Sequence, residues 1–174
     1  MKTKKIFVCS AVAALLSATL LAAQTKQVTV NATVAEMMNL TVDVTTVSFA
    51  FTAADYDVTT GLATKTAVKA TTFSVNANRT WKITAQANNA TFTFVPTGTA
   101  TDPLKPSSAL AIRAGAAAYA PFSGVVALPV ATGGRGGYSA TGNVVPVDYQ
   151  MTSDLAKDMP GSYALTLTYT LVAQ

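Results

Sequence analysis

The last stretch of the chain, residues 158–174, reads "DMPGSYALTLTYTLVAQ" and carries its most regular pattern. From Tyr163 onward every second residue is large and apolar, and most of the residues between them are threonine. Successive side chains of a strand point to opposite faces of a sheet, so this alternation indicates a strand with one buried face. Chain ends usually fray, and a strand this regular at a chain end therefore needs a well-defined partner.

The rest of the chain after residue 23 has the same character, with short alternating runs rich in Thr, Val and Ala between turn residues. This pattern is typical of an all-β protein. We predict one domain, residues 24–174, with an immunoglobulin-like antiparallel β-sandwich fold, because about eight to ten short strands suit that architecture. Pro146 predicts an edge position or a bulge for its strand, because proline cannot donate to the ladder. The predicted strands are "KQVTVNATV", "NLTVDV", "TVSFAF", "TTFSVNA", "TWKITAQA", "ATFTFV", "ALAIR", "VVALPV", "NVVPVDYQM" and the terminal run.

A few large side chains are expected to form the structural core. Trp81 is the only tryptophan and alternates in phase with Ile83, so core packing is preferred over an exposed sugar-stacking role. Tyr163 follows a Pro-Gly turn, where immunoglobulin-like sandwiches use a tyrosine that hydrogen-bonds back across the corner. A tyrosine that simply faces the core is the alternative. The predicted core residues are Trp81, Tyr163, Leu165, Leu167 and Tyr169.

The first 23 residues predict the compartment. "MKTKK" is basic, "IFVCSAVAALLSATLLAA" is uncharged and ends in small residues, and the polar "QTKQ" follows, which is the pattern of a secretory signal peptide. We expect a secreted or cell-surface protein that meets the membrane only during export. Loss of the signal leaves nine basic against eight acidic residues. A chain this close to neutral gives no reason to expect nucleic-acid binding.

The residue inventory argues against catalysis. Residues 24–174 contain no cysteine and no histidine, which removes Ser-His and Cys-His dyads and the usual zinc sites. We therefore expect no enzyme activity, no catalytic residue and no cofactor. Asp55 and Asp57 share the D-x-D opening of some calcium loops, but Gly61 comes one place late and no glutamate follows. They are weak metal candidates, and a solvated turn is the preferred interpretation.

The segment after the signal, "QTKQVTVNATV", is a strand-like run with an apolar row. An unpaired apolar edge is a liability in a monomer. Two solutions exist. The segment folds back as a strand of its own sandwich, or it completes the sheet of a neighbour by strand addition.

The start "KQVTVNATV", the Thr-rich β body, the late "GGYSATGN" and the closing "PGSYALTLTYTL" together resemble the major pilins of colonisation-factor fimbriae. The ending is also similar to WxL-like bacterial surface β-sandwich proteins. The pilin resemblance implies chaperone–usher assembly, with a donor strand at 25–34 that enters the groove of the next subunit. A homo-oligomer or polymer follows, with a periplasmic chaperone and an usher as further partners. The residues that this resemblance places in the groove are Val28, Val30, Ala32 and Val34.

Two functions remain open from the sequence. The first is a secreted structural subunit of a surface fibre or coat, as in a fimbrium used for cell adhesion, joined through its N-terminal strand. The second is a self-complete extracellular or periplasmic β-sandwich binding module, with the Gly-rich and Pro-rich loops as its ligand surface.

Overall fold

The computed structural model describes residues 28–174; the predicted signal peptide and the first residues of the predicted N-terminal strand lie outside this part. Two single-turn 3-10 helices, Ala53–Asp55 and Ser107–Ala109, interrupt an otherwise all-β chain. Within residues 28–174 no helix has the length and apolar character needed to cross a membrane. The strands are β1 (Met38–Val42), β2 (Leu62–Ala77), β3 (Trp81–Ala87), β4 (Thr93–Pro96), β5 (Leu110–Ala114), β6 (Ala120–Pro121), β7 (Leu128–Gly133), β8 (Val144–Asp154), β9 (Gly161–Ala164) and β10 (Leu167–Ala173).

All strand pairs in the described chain are antiparallel. The first sheet has the order β1-β2-β8-β5-β6, the second the order β10-β3-β7, and β4 pairs with β9 in a third, two-stranded sheet. The all-β class and the antiparallel pairing predicted from the sequence are confirmed.

One apolar core joins the first two sheets. Phe73 and Val75 of β2 and Ile83 of β3 are almost fully buried, because the two-residue period turns them to one face. Trp81 lies in the same cluster with no exposed surface, and its indole N–H donates to the carbonyl oxygen of Gly134 at 2.9 Å. Gly133 lies directly against this ring, since a Cβ there would be 2.1 Å from the Trp81 Cζ2 atom.

The terminal run forms two strands, because it changes partner. β9 pairs with β4, and β10 pairs with β3 in the register that places Leu167 opposite Ala87. Leu165 and Thr166 lie between the two strands. The Tyr163 hydroxyl donates to the Met159 carbonyl oxygen at 2.7 Å and accepts from the Met159 N–H at 2.8 Å. This is the hydrogen bonding that a tyrosine corner requires.

Two of the predicted strands are not strands in the described residues: "TVSFAF" and the part of "KQVTVNATV" within residues 28–34. The run "TVSFAF" is not a strand, although Val47, Phe49 and Phe51 alternate toward the core, because no neighbouring strand pairs with it.

Pro146 lies in β8, which is flanked by β2 and β5, so the edge position predicted for its strand is wrong. The alternative prediction of a bulge agrees with an irregularity in the β2–β8 register between Ala67 and Thr71, one residue pair from Pro146. The pairing with β5 ends at Val147, so the missing N–H of Pro146 falls just beyond that partner.

The chain divides into two units at Val34, and the two are described separately. Residues 28–34 contain no strand, and every side chain among them is exposed. Val28 and Val30 each expose 84% of their surface, and Val34 exposes 82%. The strands, sheets and core described above all belong to the body, Ala35–Gln174.

Candidate functional site

The body contains an open cleft of about 1050 Å³. One wall is a segment without strand structure, residues 43–51, which we call the strap. The opposite wall is formed by residues 159–169, which include β9 and the start of β10. The floor is mainly apolar and comes from β2, β5, β8 and the residue before β4; its apolar side chains are Phe73, Phe92, Leu110, Tyr149 and Met151.

Both walls present their edges to the cleft. Consecutive residues of each wall line it, and not only alternate ones, which shows that the backbone itself borders the space. In the described chain β10 is an edge strand with β3 as its neighbour, and β9 is paired with β4. The strap has no backbone-to-backbone hydrogen bond between residues 45 and 51 to any other described residue. Such edges offer free N–H and C=O groups to an added strand.

The inward side chains of the β9–β10 wall form a row. Tyr163, Leu165, Leu167 and Tyr169 alternate along it, pack against the core and remain half-exposed. Four of the five predicted core residues therefore lie on the wall of the cleft, and Trp81 is the one in the fully buried core. The row has a buried side and an open side, and the open side faces the cleft.

The strap is held at its two ends. At one end the Asp43 carboxylate accepts a hydrogen bond from the Thr72 N–H at 2.6 Å. At the other end the Lys65 ammonium donates to the Ala50 carbonyl oxygen at 2.5 Å and forms an ion pair with Asp55 at 2.9 Å. The strap is thus tethered at both ends, and residues 45–51 between the tethers make no hydrogen bond to the described backbone.

The two weak metal candidates belong to these tethers and turns. The hydrogen bond from Lys65, assisted by Thr52, lowers the pKa of Asp55 to about 2. Asp57 accepts hydrogen bonds from the backbone N–H groups of Thr59 and Thr60, which lower its pKa and close a turn. In residues 28–174 no three Asp, Glu, His or Cys side chains lie close enough together to hold a metal ion.

One end of the cleft is polar. Lys105 and Asp158 form an ion pair there, and their side chains are only 5% and 12% exposed. Asp158 Oδ2 also accepts from the Ser153 hydroxyl at 2.8 Å and from the Asp154 N–H at 3.0 Å. The Lys105 ammonium lies 5.6 Å from the centre of the Tyr163 ring, which places this cluster beside the first member of the wall row. We call Lys105, Asp158 and Ser153 the polar end.

The opposite end is aromatic. The rings of Phe73 and Tyr169 have centroids 4.4 Å apart, and the hydroxyl groups of Tyr149 and Tyr169 are 2.6 Å apart. Burial raises the pKa of the Tyr169 phenol far above its ordinary value. Tyr149, Met151 and Ser153 are alternate residues of β8 and carry the floor from this end to the polar end.

Sequence reasoning missed two parts of this site. The strap was interpreted as a strand of the sandwich, and nothing singled out Lys105 or Asp158, which are 53 residues apart. The alternation of Val47, Phe49 and Phe51 was the only signal for the strap, and it indicates an apolar face without showing that the edge is free. No local pattern marks a pair of charges that only the fold brings together.

No protein-family model matches the chain, and no curated protein matches it significantly. The geometry of the cleft and the sequence of residues 28–34 are therefore the basis for a functional assignment.

Proposed function

We propose that the protein is a structural subunit of a secreted, homopolymeric surface fibre, in which the N-terminal strand of one subunit fills the cleft of the next. The body is then an incomplete immunoglobulin-like sandwich, and residues 25–34 of a second copy supply the missing strand. The observation that carries the proposal is a cleft with unpaired edges in a chain that also has an exposed, unpaired, alternating segment.

The two rows match in number and length. Four inward side chains occur between Tyr163 and Tyr169 on the wall, and four apolar residues occur between Val28 and Val34 in the segment. Each row spans seven residues, which is about 20 Å at roughly 3.3 Å per residue. An extended segment in the cleft would therefore cover the wall row one residue for one.

The free backbone edges of the cleft support the proposed strand addition. A strand added beside β9–β10 would pair with the free edge of that wall and with the strap on its other side. Strand addition satisfies the free N–H and C=O groups of both edges, which otherwise invite uncontrolled association. Burial of the three valines adds roughly 5–9 kcal/mol, before the cost of ordering the segment.

The proposed assembly does not depend on a disulfide. No disulfide is available in residues 24–174, so cohesion has to come from apolar burial and main-chain hydrogen bonds between subunits. Before assembly the open cleft needs a cover, which is the role that the pilin resemblance gives to a periplasmic chaperone and an usher. The assembled fibre would lie on the cell surface and serve in adhesion.

Deletion of residues 24–34 from the secreted protein tests this function. The wild type should give a ladder of polymers in detergent gels that collapses on heating, whereas the truncated body should give no ladder. Because the body keeps its cleft, an excess of it should also cap wild-type polymers and shorten them in proportion to its concentration. The emission of the buried Trp81 reports whether the truncated body is folded.

Two results would contradict the fibre. Normal assembly of the truncated body would show that the N-terminal strand is not the joint. A wild-type protein that remains a monomer at all concentrations, with protected N-terminal amides, would favour the self-complete binding module.

A further inference from the structure

The inserted strand has a register problem. The four apolar residues of the segment 28–34 recur at every second position, and three of them are valine. A shift of the strand by two residues keeps the same face toward the cleft, whereas a shift of one reverses the faces. Amphipathic alternation therefore excludes odd shifts, whereas an even shift of two keeps the same face inward and loses only the contact of the one apolar residue that passes the end of the wall row.

The polar end differs from the rest of the cleft. The side chains of Lys105 and Asp158 are largely buried. Asp158 Oδ2 accepts three hydrogen bonds, from the Lys105 ammonium, the Ser153 hydroxyl and the Asp154 N–H. A valine placed over this cluster would remove the remaining water contact of the charged groups without offering a hydrogen bond in return. Desolvation of this kind is unfavourable even when the charges stay paired.

A charged residue continues the two-residue period of the segment at each of its ends. The next residues in the same phase as the apolar row are Lys26 on one side and Glu36 on the other. When the four apolar residues of the segment cover the four of the wall, Lys26 reaches the polar end if the strand runs parallel to β9–β10. In the antiparallel direction Glu36 reaches it, on leaving its 2.8 Å ion pair with Arg79 of its own body. A shift of two residues toward the polar end puts a valine there instead.

We propose that the Lys105–Asp158 pair is a register stop, which halts the strand of a second copy where its apolar row ends. This inference rests on the proposed strand exchange and adds to it the element that selects one alignment. Buried ion pairs are better attested as devices of register than as sources of stability. The cleft thereby recognises a strand of four alternating apolar residues that ends in a charged one.

Disulfide trapping can read the register directly, because the secreted chain has no cysteine of its own. Asn31 is the midpoint of the segment, and Thr166 is the midpoint of the wall row from Tyr163 to Tyr169. In the four-on-four alignment Asn31→Cys should therefore cross-link to Thr166→Cys for either strand direction. A two-residue shift toward the polar end moves the partner to Ala164→Cys, and a shift away moves it to Thr168→Cys. Directly opposed residues of neighbouring strands lie within reach of a disulfide.

The test compares three cysteine pairs in assembled, full-length secreted protein. With the native polar end, we expect the intermolecular cross-link from position 31 to form at 166 and not at 164 or 168. The double variant Lys105→Met with Asp158→Asn removes both charges and keeps an acceptor for Ser153. With it, a second cross-link should appear at 164, while the pair with 168 serves as the internal control and stays silent.

Variants in the strand keep the test decisive if the double variant does not fold, because they leave the residues of the cleft unchanged. Glu36→Val also removes the exposed ion pair with Arg79, which lies outside the cleft lining. Lys26→Val and Glu36→Val each extend the apolar row by one residue. The one that faces the polar end should shift the cross-link to 168, and the other should leave it at 166, which also reveals the strand direction.

The possible failures are distinct. Absence of any intermolecular cross-link from position 31 overturns the strand exchange itself. A cross-link that stays at 166 in the folded double variant overturns the register stop and leaves the fibre intact. A cross-link that stays at 166 in both strand variants has the same meaning.

Discussion

Residues 28–34 and residues 163–169 have the same sequence pattern and opposite fates in the structure. Both alternate apolar and polar residues with a period of two. In the second stretch the apolar residues pack against the core, and most of the backbone belongs to β9 and β10. In the first, all side chains are exposed and no strand forms. Alternation therefore indicates that a stretch has one apolar face, whereas a strand forms only where another part of the protein covers that face and pairs with the backbone.

The strap lies between these two cases. Val47, Phe49 and Phe51 pack against the core as the wall row does, but the strap backbone has no partner strand. Its side chains are placed by the body, and the backbone groups of residues 45–51 make no hydrogen bond to the described backbone. The molecule thus contains two free edges and one free segment, which is the arrangement that strand exchange needs.

The largest expected effect is on the affinity between subunits and comes from a substitution in residues 28–34. Val30→Asp places a carboxylate in the middle of the apolar row, where it would be buried without a partner on insertion. We expect the affinity between subunits to fall about 1000-fold or more, equivalent to roughly 4 kcal/mol. The unfolding free energy of the body should change by less than about 0.5 kcal/mol, because Val30 is exposed. Sedimentation velocity measures the first quantity, and urea unfolding measures the second.

Thr29→Asp is the matched control for this variant, since it adds the same charge one residue away and on the opposite face. It should assemble nearly as the wild type does. Equal defects in the two variants would mean that charge, and not the buried row, controls assembly.

The next effect is on the stability of the body and comes from a substitution outside residues 28–34. Gly133→Ala drives a methyl group into the Trp81 ring, where the Cβ would approach Cζ2 to 2.1 Å. We expect a loss of about 2–3 kcal/mol in the free energy of unfolding. Gly134→Ala is its control, because nothing lies within 4 Å of the added methyl group. Similar urea midpoints for the two variants would show that the ring does not pack against β7 as described.

A smaller effect concerns the aromatic end of the cleft. Tyr149→Phe or Tyr169→Phe removes one hydroxyl from a pair whose oxygens are 2.6 Å apart and leaves the other without its partner. Each change should cost about 1–2 kcal/mol of stability. The double variant should cost less than the sum of the two, and a double-mutant cycle measures this coupling. Strictly additive costs would argue against the hydrogen bond.

The smallest effect concerns the tether of the strap. The hydrogen bond from Lys65 lowers the pKa of Asp55 to about 2. In the folded state this carboxylate therefore stays charged at pH values where an ordinary aspartate is already protonated. Its contribution to stability is present above about pH 4 and is lost as the pH falls through 2. Asp55→Asn should flatten the dependence of the urea midpoint on pH between 4 and 2. An unchanged slope would mean that the tether does not contribute.

The fold class could be predicted from the sequence because the evidence for it is local. The two-residue period, the turn residues and the lack of helical periodicity identify an all-β antiparallel body. The hydrogen bonds of Tyr163 with Met159 span only four residues, so the Pro-Gly turn before it was a usable signal. The edge alternative for Pro146 was wrong and the bulge alternative was supported, because the effect of this proline depends on where β5 ends and on the β2–β8 register, and both involve residues more than 30 positions away in the chain.

Residues and spacing by themselves determined which faces of this protein are apolar, that residues 24–174 contain no histidine or cysteine, and that four apolar residues alternate in the N-terminal segment. Only the tertiary structure decided which of those faces are covered. It pairs β10 with β3, leaves the strap and the β9–β10 edge open, and joins Lys105 to Asp158 across 53 residues. The physical reason is that side-chain direction follows from local backbone geometry, whereas a hydrogen-bonding partner depends on contacts between distant parts of the chain.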